Sequence, residues 1–168
     1  MPAIIRIMGI DPGTNITGFG IIKIDGRGEA GLCHYGCVRT KRNADLPLRL
    51  QQIYLGLTDA ITHYKPDAVA LEDIFYSDNI KTAIVMGEAR GVALLAAVNQ
   101  GVRPAEYSPR EVKLAVVGHG NASKEQVQFM VRQILGLKEE IKPADAADAL
   151  AVALCHYNRL QQQIRMSK

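Results

Sequence analysis

The sequence has no tryptophan, few aromatic residues and only three cysteines. Phe and Tyr together make up 5% of the 168 residues, so the interior must be built mainly from Ile, Val, Leu and Ala. An odd and sparse set of cysteines does not form a disulfide framework, which favours a reducing compartment. Cys33 and Cys37 flank His34, but their segment looks extended. Residues four apart on a strand lie roughly 13 Å from each other, which argues against a zinc site here.

The chain also lacks a large excess of charge of one sign. It contains 20 Lys and Arg against 17 Asp and Glu, a formal net charge of +3, which permits a polyanionic partner without requiring one. The first nine residues lack the cleavage pattern of a signal peptide, and no run is expected to reach the length of a membrane span. We therefore expect a cytoplasmic protein. The length and the 48% hydrophobic content predict one globular domain.

Apolar periodicity and turn residues predict an α/β fold, with a five-stranded mixed sheet flanked by helices. The predicted strands cover residues 4–10, 18–24, 30–40, 68–71 and 103–107. The predicted helices cover residues 46–64, 80–98 and 144–161, and capping boxes open two more at Ser108 and Ser123. The first three strands should form an antiparallel meander, and the fourth should be buried and parallel. We expect one domain over residues 1–161 and a frayed polar tail over 162–168.

Acidic residues stand where two of the predicted strands end. Asp11 follows the first strand and Glu72 follows the fourth. If these strands are parallel neighbours, both carboxylates emerge at one edge of the sheet, where ligand sites of open α/β sheets form. Taken alone, Asp11 could equally be a turn residue and Glu72 a solvent-facing strand end.

The last helix supplies a second acidic pair. Asp145 and Asp148 are three residues apart and share one helix face, among small alanines that allow close packing. Singly, they could merely complement the positive end of the helix dipole. Converging with Asp11 and Glu72, however, they would form a set of hard oxygen ligands that selects Mg²⁺, with Mn²⁺ as a plausible substitute. Two such ions about 4 Å apart can promote phosphodiester hydrolysis, so a metal-dependent nuclease is the favoured interpretation.

Several motifs in order along the chain resemble those of the RuvC-type Holliday junction resolvases. The resemblance extends over about residues 5–153, nearly the whole chain, and rests on GIDPGT (9–14), ALEDIF (70–75), GEARGV (87–92), VVGHG (116–120) and ADAADAL (144–150). It implies an RNase H-like fold and an endonuclease that cuts two opposing strands of a four-way DNA junction. It also implies a homodimer that works with the RuvA–RuvB branch-migration complex.

The resemblance also assigns roles to individual residues. It makes Asp11, Glu72, Asp145 and Asp148 the catalytic, metal-binding carboxylates, with two ions expected in each subunit when DNA is bound. It places Lys113 and Lys124 near the scissile phosphate and Phe75 against bases at the junction centre. Two positions depart from the expected pattern. Asp73 stands where Gln is expected and is interpreted as a spectator, and His119, in place of an apolar residue, is interpreted as a surface histidine.

Two further features remain open. Arg39, Lys41 and Arg42 form a basic cluster after the third strand, which either follows DNA phosphates or is simply a solvated turn. The helix over residues 80–98 is rich in Ala and Gly. We expect its small residues near Gly87 and Gly91 to form the dimer interface, although they could equally serve packing within the chain.

Three other functions compete with the junction resolvase. Actin-like kinases and ATPases also open with an Asp-x-Gly-Thr turn, but they need a duplicated domain that 168 residues do not provide. A related RNase H-like nuclease could act on ribosomal RNA. A non-catalytic junction-binding module would bind the same DNA without cutting it.

Overall fold

The computed structural model describes residues 4–74 and 78–167. The elements follow the predicted order: β1 (Ile5–Asp11), β2 (Ile16–Ile24), β3 (Ala30–Arg39), α1 (Leu46–Tyr64), β4 (Ala68–Glu72), α2 (Ile80–Asn99), β5 (Ala105–Tyr107), α3 (Pro109–Val117), α4 (Lys124–Ile134) and α5 (Ala144–Met166). The two capping boxes are present, because Ser108 pairs with Glu111 and Ser123 with Gln126. β5 starts later than predicted, after Pro104, whose ring nitrogen has no N–H to donate to a sheet.

The strands form one five-stranded mixed sheet in the order β3-β2-β1-β4-β5. β1, β2 and β3 pair antiparallel, whereas β4 is parallel to both β1 and β5. This confirms the predicted meander and the predicted parallel position of the fourth strand. One face of the sheet packs on α1 and α2, and the other packs on α3, α4 and α5. The carboxyl ends of β1, β4 and β5 consequently lie along one edge, with helices on both faces.

Glycines in the sheet let α5 lie directly against the strands. A side chain at Gly9 in β1 would collide with the carbonyl oxygen of Ala149 and come within 2.7 Å of the Ala153 nitrogen. A side chain at Gly18 in β2 would likewise collide with the carbonyl of Asp145. This backbone-to-backbone packing places the first turns of α5 over the end of β1.

The carboxyl-terminal segment corrects one expectation. The last helix continues to Met166, so the segment predicted to be a frayed tail is helical as far as that residue. Gln, Arg and Met, which dominate this stretch, have high helix propensity and can extend a helix whose preceding turns are already anchored.

The length and hydropathy of α2 correct a second expectation. By length and composition, the 20-residue α2 could cross a membrane, because its most apolar window has a mean hydropathy of 1.3. The expectation that no run approaches a membrane span was therefore wrong on these criteria. A single such helix is weak evidence for a membrane protein, since core helices of soluble proteins share this composition. Only 22% of the window is buried, which leaves much of the apolar surface of α2 uncovered.

The glycine contact yields a stability prediction. Gly9→Ala should lower the free energy of unfolding by about 1–3 kcal/mol, because its new methyl group meets the backbone of α5 rather than a movable side chain. Gly31→Ala in β3 is the matched control, since its nearest neighbour would be a flexible lysine carbon at 3.5 Å. Urea unfolding of the three proteins measures the difference. Equal stability of the Gly9→Ala variant and the unsubstituted protein would contradict the packing described.

Candidate active site

Asp11 and Glu72 lie side by side at the carboxyl edge of the sheet. The parallel register pairs Gly9 with Ala70 and Ile10 with Leu71, so the next residue of each strand is one of the two acids. Adjacent strands are about 4.8 Å apart, and residues at the same level of a sheet project to the same side. The neighbouring backbone is buried, because Ile10 and Leu71 are fully inaccessible to solvent.

The first turns of α5 bring two more carboxylates to this edge. Asp145 lies in the first helical turn, and Asp148 follows one turn later. The close contact of Gly18 with the carbonyl of Asp145 fixes the start of the helix above the sheet. Pro143 is the N-cap and offers no side-chain hydrogen bond to the helix start.

The electrostatics show that the four acids share one environment. Burial, and after it the charges of Glu72, Asp148 and Asp145 in that order, together raise the pKa of Asp11 from 3.8 to about 8. Burial and, to a smaller extent, the charge of Asp148 together raise the pKa of Glu72 from 4.5 to about 7. Residues far apart in sequence thus repel one another through space. Without a compensating cation, the site holds protons near neutral pH.

Two lysines partly offset this negative charge. Lys124, at the start of α4, places its Nζ 3.1 Å from Oδ2 of Asp148, and this contact raises the pKa of the lysine. The positive charges of Lys113 and Lys124 lower the pKa of Glu72, opposing its burial. The pKa of Asp148 is still raised, because burial outweighs the lysine contact. Both lysines therefore lie within electrostatic reach of the carboxylates.

A cleft of about 230 Å³ joins these groups. Glu72, Lys113, Lys124 and Asp148 line it, together with apolar residues of α3, α4 and α5. A larger cleft of about 370 Å³ lies between the other side of α3 and the carboxyl-terminal half of α5. It contains none of the four carboxylates, so we assign the chemistry to the smaller cleft.

The carboxylates have the donor atoms that a divalent cation prefers, but they are not arranged as a preformed ligand shell. Within residues 4–74 and 78–167, no three His, Cys, Asp or Glu side chains are grouped closely enough to hold a metal ion as they stand. One acid, Asp148, instead contacts Lys124. The donors are nevertheless hard oxygens, three of whose charges raise the pKa of Asp11, and a cation such as Mg²⁺ would relieve that repulsion.

Arg90 is a residue whose position the sequence did not reveal. From α2 it reaches the sheet edge, where its Nε lies 3.2 Å from Oδ1 of Asp73 and its Nη2 contacts Glu106. The amide of Asp73 also donates to the carbonyl of Tyr107 at 2.7 Å, which extends the pairing of β4 with β5 just beyond Glu72. The motif GEARGV contains Arg90, but its charge alone does not indicate that it joins the ends of two strands.

Asp73, His119 and Phe75 are the remaining positions that the sequence singled out. Asp73 pairs with Arg90, and it does not contribute to the raised pKa of Asp11, in keeping with its interpretation as a spectator. His119 is exposed between two glycines after α3, as expected for a surface histidine. Phe75 lies outside the described residues.

Comparison with known proteins identifies the family. The family model described as "Crossover junction endodeoxyribonuclease RuvC" matches residues 7–156. The RuvC of Desulforamulus reducens is 51% identical over 150 residues, 89% of this chain and 91% of the relative. The RuvC of Shewanella frigidimarina is 50% identical over 160 residues, which cover 95% of this chain and 91% of that protein.

Solved structures agree in fold. Thermus thermophilus RuvC in complex with a Holliday junction substrate superposes with a TM-score of 0.89 at 38% identity, covering 95% of this chain and 96% of the other. The yeast mitochondrial Holliday junction resolvase Ydc2 has a TM-score of 0.69 at 13% identity, covering 96% of this chain and 81% of the other, which supports the fold alone. The predicted RNase H-like, five-stranded mixed sheet is thereby confirmed. The chain belongs to the RuvC family of crossover junction endodeoxyribonucleases.

Proposed function

We propose that this protein resolves four-way DNA junctions by metal-dependent hydrolysis of phosphodiesters in two opposing strands. The observation that carries the proposal is the set of four mutually repelling carboxylates at one sheet edge, flanked by Lys113 and Lys124. Membership of the RuvC family and the likeness to a relative solved with its junction substrate support four-way DNA as the substrate. The protein would act in the cytoplasm, and the RuvA–RuvB branch-migration complex is its proposed partner.

The proposed metal ligands are Asp11, Glu72, Asp145 and Asp148, which would hold two Mg²⁺ or Mn²⁺ ions in each subunit when DNA is bound. Ions held there would activate a water molecule and stabilise the leaving oxygen of the scissile phosphodiester. The protein contributes the placement of the oxygens, because burial at the strand ends keeps Asp11 and Glu72 from spreading apart into solvent. Two ions would also neutralise the negative charge of the carboxylates, which the two lysines only partly offset.

The lysines are proposed to bind the scissile phosphate. Lys124 opens a helix of eleven residues, where its side-chain charge and the helix dipole both favour an anion. Its present partner, Asp148, is itself a proposed metal ligand, so DNA and metal together would release the lysine toward the phosphate. Lys113, from α3, lines the same cleft. Phe75 is the proposed aromatic contact to bases at the junction centre.

A dimer is proposed through α2, in agreement with the small residues noted in the sequence. An exposed stripe runs along this helix at three- and four-residue steps and consists of Ile84, Gly87, Glu88, Gly91, Leu95 and Val98. Apart from the backbone of α2 itself and the adjoining residues, no atom of residues 4–74 and 78–167 lies within 4 Å of where a Cβ would be at Gly87 or Gly91, so packing against this part of the chain does not explain the glycines. Glycines without close neighbours let a second helix approach, and the flanking apolar residues would be covered.

The first test removes one carboxylate. Asp11→Asn should reduce cleavage of a synthetic four-way junction at least about 100-fold, the scale on which loss of one active-site electrostatic group acts. Binding of the junction should persist, because the substitution removes negative charge. Asp59→Asn, an exposed acid on α1, is the matched control and should cut normally. Normal cleavage by Asp11→Asn would show that Asp11 is not a catalytic metal ligand. If the unsubstituted protein cuts structured RNA in preference to the junction, four-way DNA is not its substrate.

The second test uses the raised pKa values. The pKa of Asp11 rises from 3.8 to about 8 and that of Glu72 from 4.5 to about 7, so the folded protein holds protons that the unfolded chain releases. In EDTA, their contribution to stability is complete below about pH 4 and is lost as pH rises towards about 8. Thermal unfolding should show Asp11→Asn stabilising the protein more at high pH than at low pH. Mg²⁺ should likewise raise the melting temperature more at high pH, and an equal effect of either change at both pH values would contradict the raised pKa values.

The third test concerns the dimer. Leu95→Glu places a charge in the middle of the α2 stripe, where the leucine is 52% exposed, and should convert a dimer into a monomer in light scattering at micromolar concentration. Ile164→Glu near the end of α5, at a residue that is 59% exposed, is the matched control and should remain dimeric. A monomeric unsubstituted protein, or a dimeric Leu95→Glu variant, would rule out this interface.

A further inference from the structure

The basic cluster after the third strand consists of Arg39, Lys41, Arg42 and, from α1, Arg49, and we call it the β3-end cluster. Its place follows from the sheet register. Asp11 pairs with Gly18, and Gly18 pairs with Cys37, so these three residues form one row across the sheet. Arg39 lies two residues further along β3, roughly 7 Å beyond that row, and two strands, about 10 Å, to the side of Asp11. The cluster thus flanks the catalytic edge.

Hydrogen bonds tie the cluster to the turn that follows Asp11. The Thr40 hydroxyl donates to the Thr14 carbonyl at 2.5 Å, and the Thr40 amide donates to the Asn15 carbonyl at 3.1 Å. Arg49 donates from Nη2 to the Asn15 side-chain oxygen at 2.6 Å and from Nε to the Thr40 hydroxyl at 3.3 Å. The segment is therefore held to the active-site turn and is not a freely solvated loop.

Further bonds hold the backbone that presents the exposed cations. The Lys41 amide donates to Oε1 of Gln52 at 3.0 Å, and the Lys41 carbonyl accepts from the Ala44 amide at 3.0 Å. Both bonds use backbone groups of Lys41 and leave its ammonium out of them. The side chains of Lys41 and Arg42 are consequently directed from a fixed backbone.

The positive charges of the cluster are not neutralised by carboxylates within the fold. In the described part of the chain, none of the four forms an ion pair with a carboxylate. The nearest acid in sequence, Asp45, uses its side chain to cap α1 by accepting from the Leu48 amide at 3.3 Å. Arg39, Lys41 and Arg42 are all exposed. Four like charges gathered without counter-charges favour an anionic partner.

We propose that the β3-end cluster binds the phosphate backbone of the DNA arm that leaves the active site on the β3 side. The two offsets together put Arg39 about 12 Å from Asp11, which is comparable to the major-groove width of B-DNA, about 12 Å, so backbone next to the scissile phosphate reaches the cluster. Lys113 and Lys124 lie on the α3–α4 side of the carboxylates. The acids therefore stand between two cationic regions, one at the scissile phosphate and one along the arm. This inference rests on the proposed function, because it takes the junction as the ligand.

The test is the salt dependence of junction binding by the full-length Lys41→Ala/Arg42→Ala double variant. Binding of a fluorescent four-way junction is measured in EDTA, where metal-dependent cleavage does not run. Loss of two phosphate contacts should weaken binding roughly tenfold at low salt and reduce the slope of log Kd against log salt by about 2. Lys41→Glu/Arg42→Glu should weaken binding more, because repulsion is added to the lost attraction.

Lys23→Ala/Arg27→Ala is the matched control, since both residues belong to the β2–β3 hairpin at the opposite edge of the sheet. It removes the same net charge and should leave the slope within about 0.5 of that of the unsubstituted protein. Equal slopes for the Lys41/Arg42 double variant and the unsubstituted protein would overturn the inference. An equal loss in both double variants would also overturn it, because net charge alone would then explain the effect. If the unsubstituted protein neither binds nor cuts the junction, the proposed function itself fails, which is a distinguishable result.

Discussion

Repulsion among carboxylates held at the buried end of a sheet is the constraint on which the rest of the structure depends. Burial and three neighbouring acids raise the pKa of Asp11 to about 8, so the folded chain keeps an energetically costly cluster. The cluster exists because α5 lies in backbone contact with β1 and β2. That contact requires residues without side chains at Gly9 and Gly18. The glycines of the sheet therefore bring the carboxylates together as well as allowing the helix to pack.

In the candidate site, the negative carboxylates and the positive lysines neutralise each other in part. Lys124 forms an ion pair with Asp148, and the positive charge of Lys113 lowers the pKa of Glu72. A bound cation would take over the compensation of the acids, and a bound phosphate would take over the compensation of the lysines. Under the proposed function, metal and DNA binding would therefore each release a partner for the other. The partial neutralisation also explains why no ready-made coordination sphere stands among the described residues, since Asp148 is engaged by a lysine.

Much of the fold could be predicted from the sequence because its signals are local. The apolar runs gave all five strands, and the Ser108 and Ser123 capping boxes gave two helix starts correctly. The convergence of Asp11 with Asp145 could not be derived from periodicity, because it depends on how closely α5 approaches the sheet. The position of Arg90 could not be derived either, because its partners lie far apart in sequence, Asp73 just after β4 and Glu106 in β5. The end of α5 could not be predicted, because a polar composition is common to frayed tails and to solvent-exposed helix ends.

The central claim is that Asp11, Glu72, Asp145 and Asp148 bind divalent metal as one group. Calorimetric titration of the protein with Mn²⁺, repeated near neutral pH in buffers of different ionisation enthalpy, measures both binding and proton exchange. Saturable binding should be accompanied by net proton release, because the metal must displace protons held by Asp11 and Glu72. Proton release should be lost when Asp11 is replaced by Asn. Saturable binding that persists unchanged in that variant, or no binding at millimolar Mn²⁺, would contradict the claim.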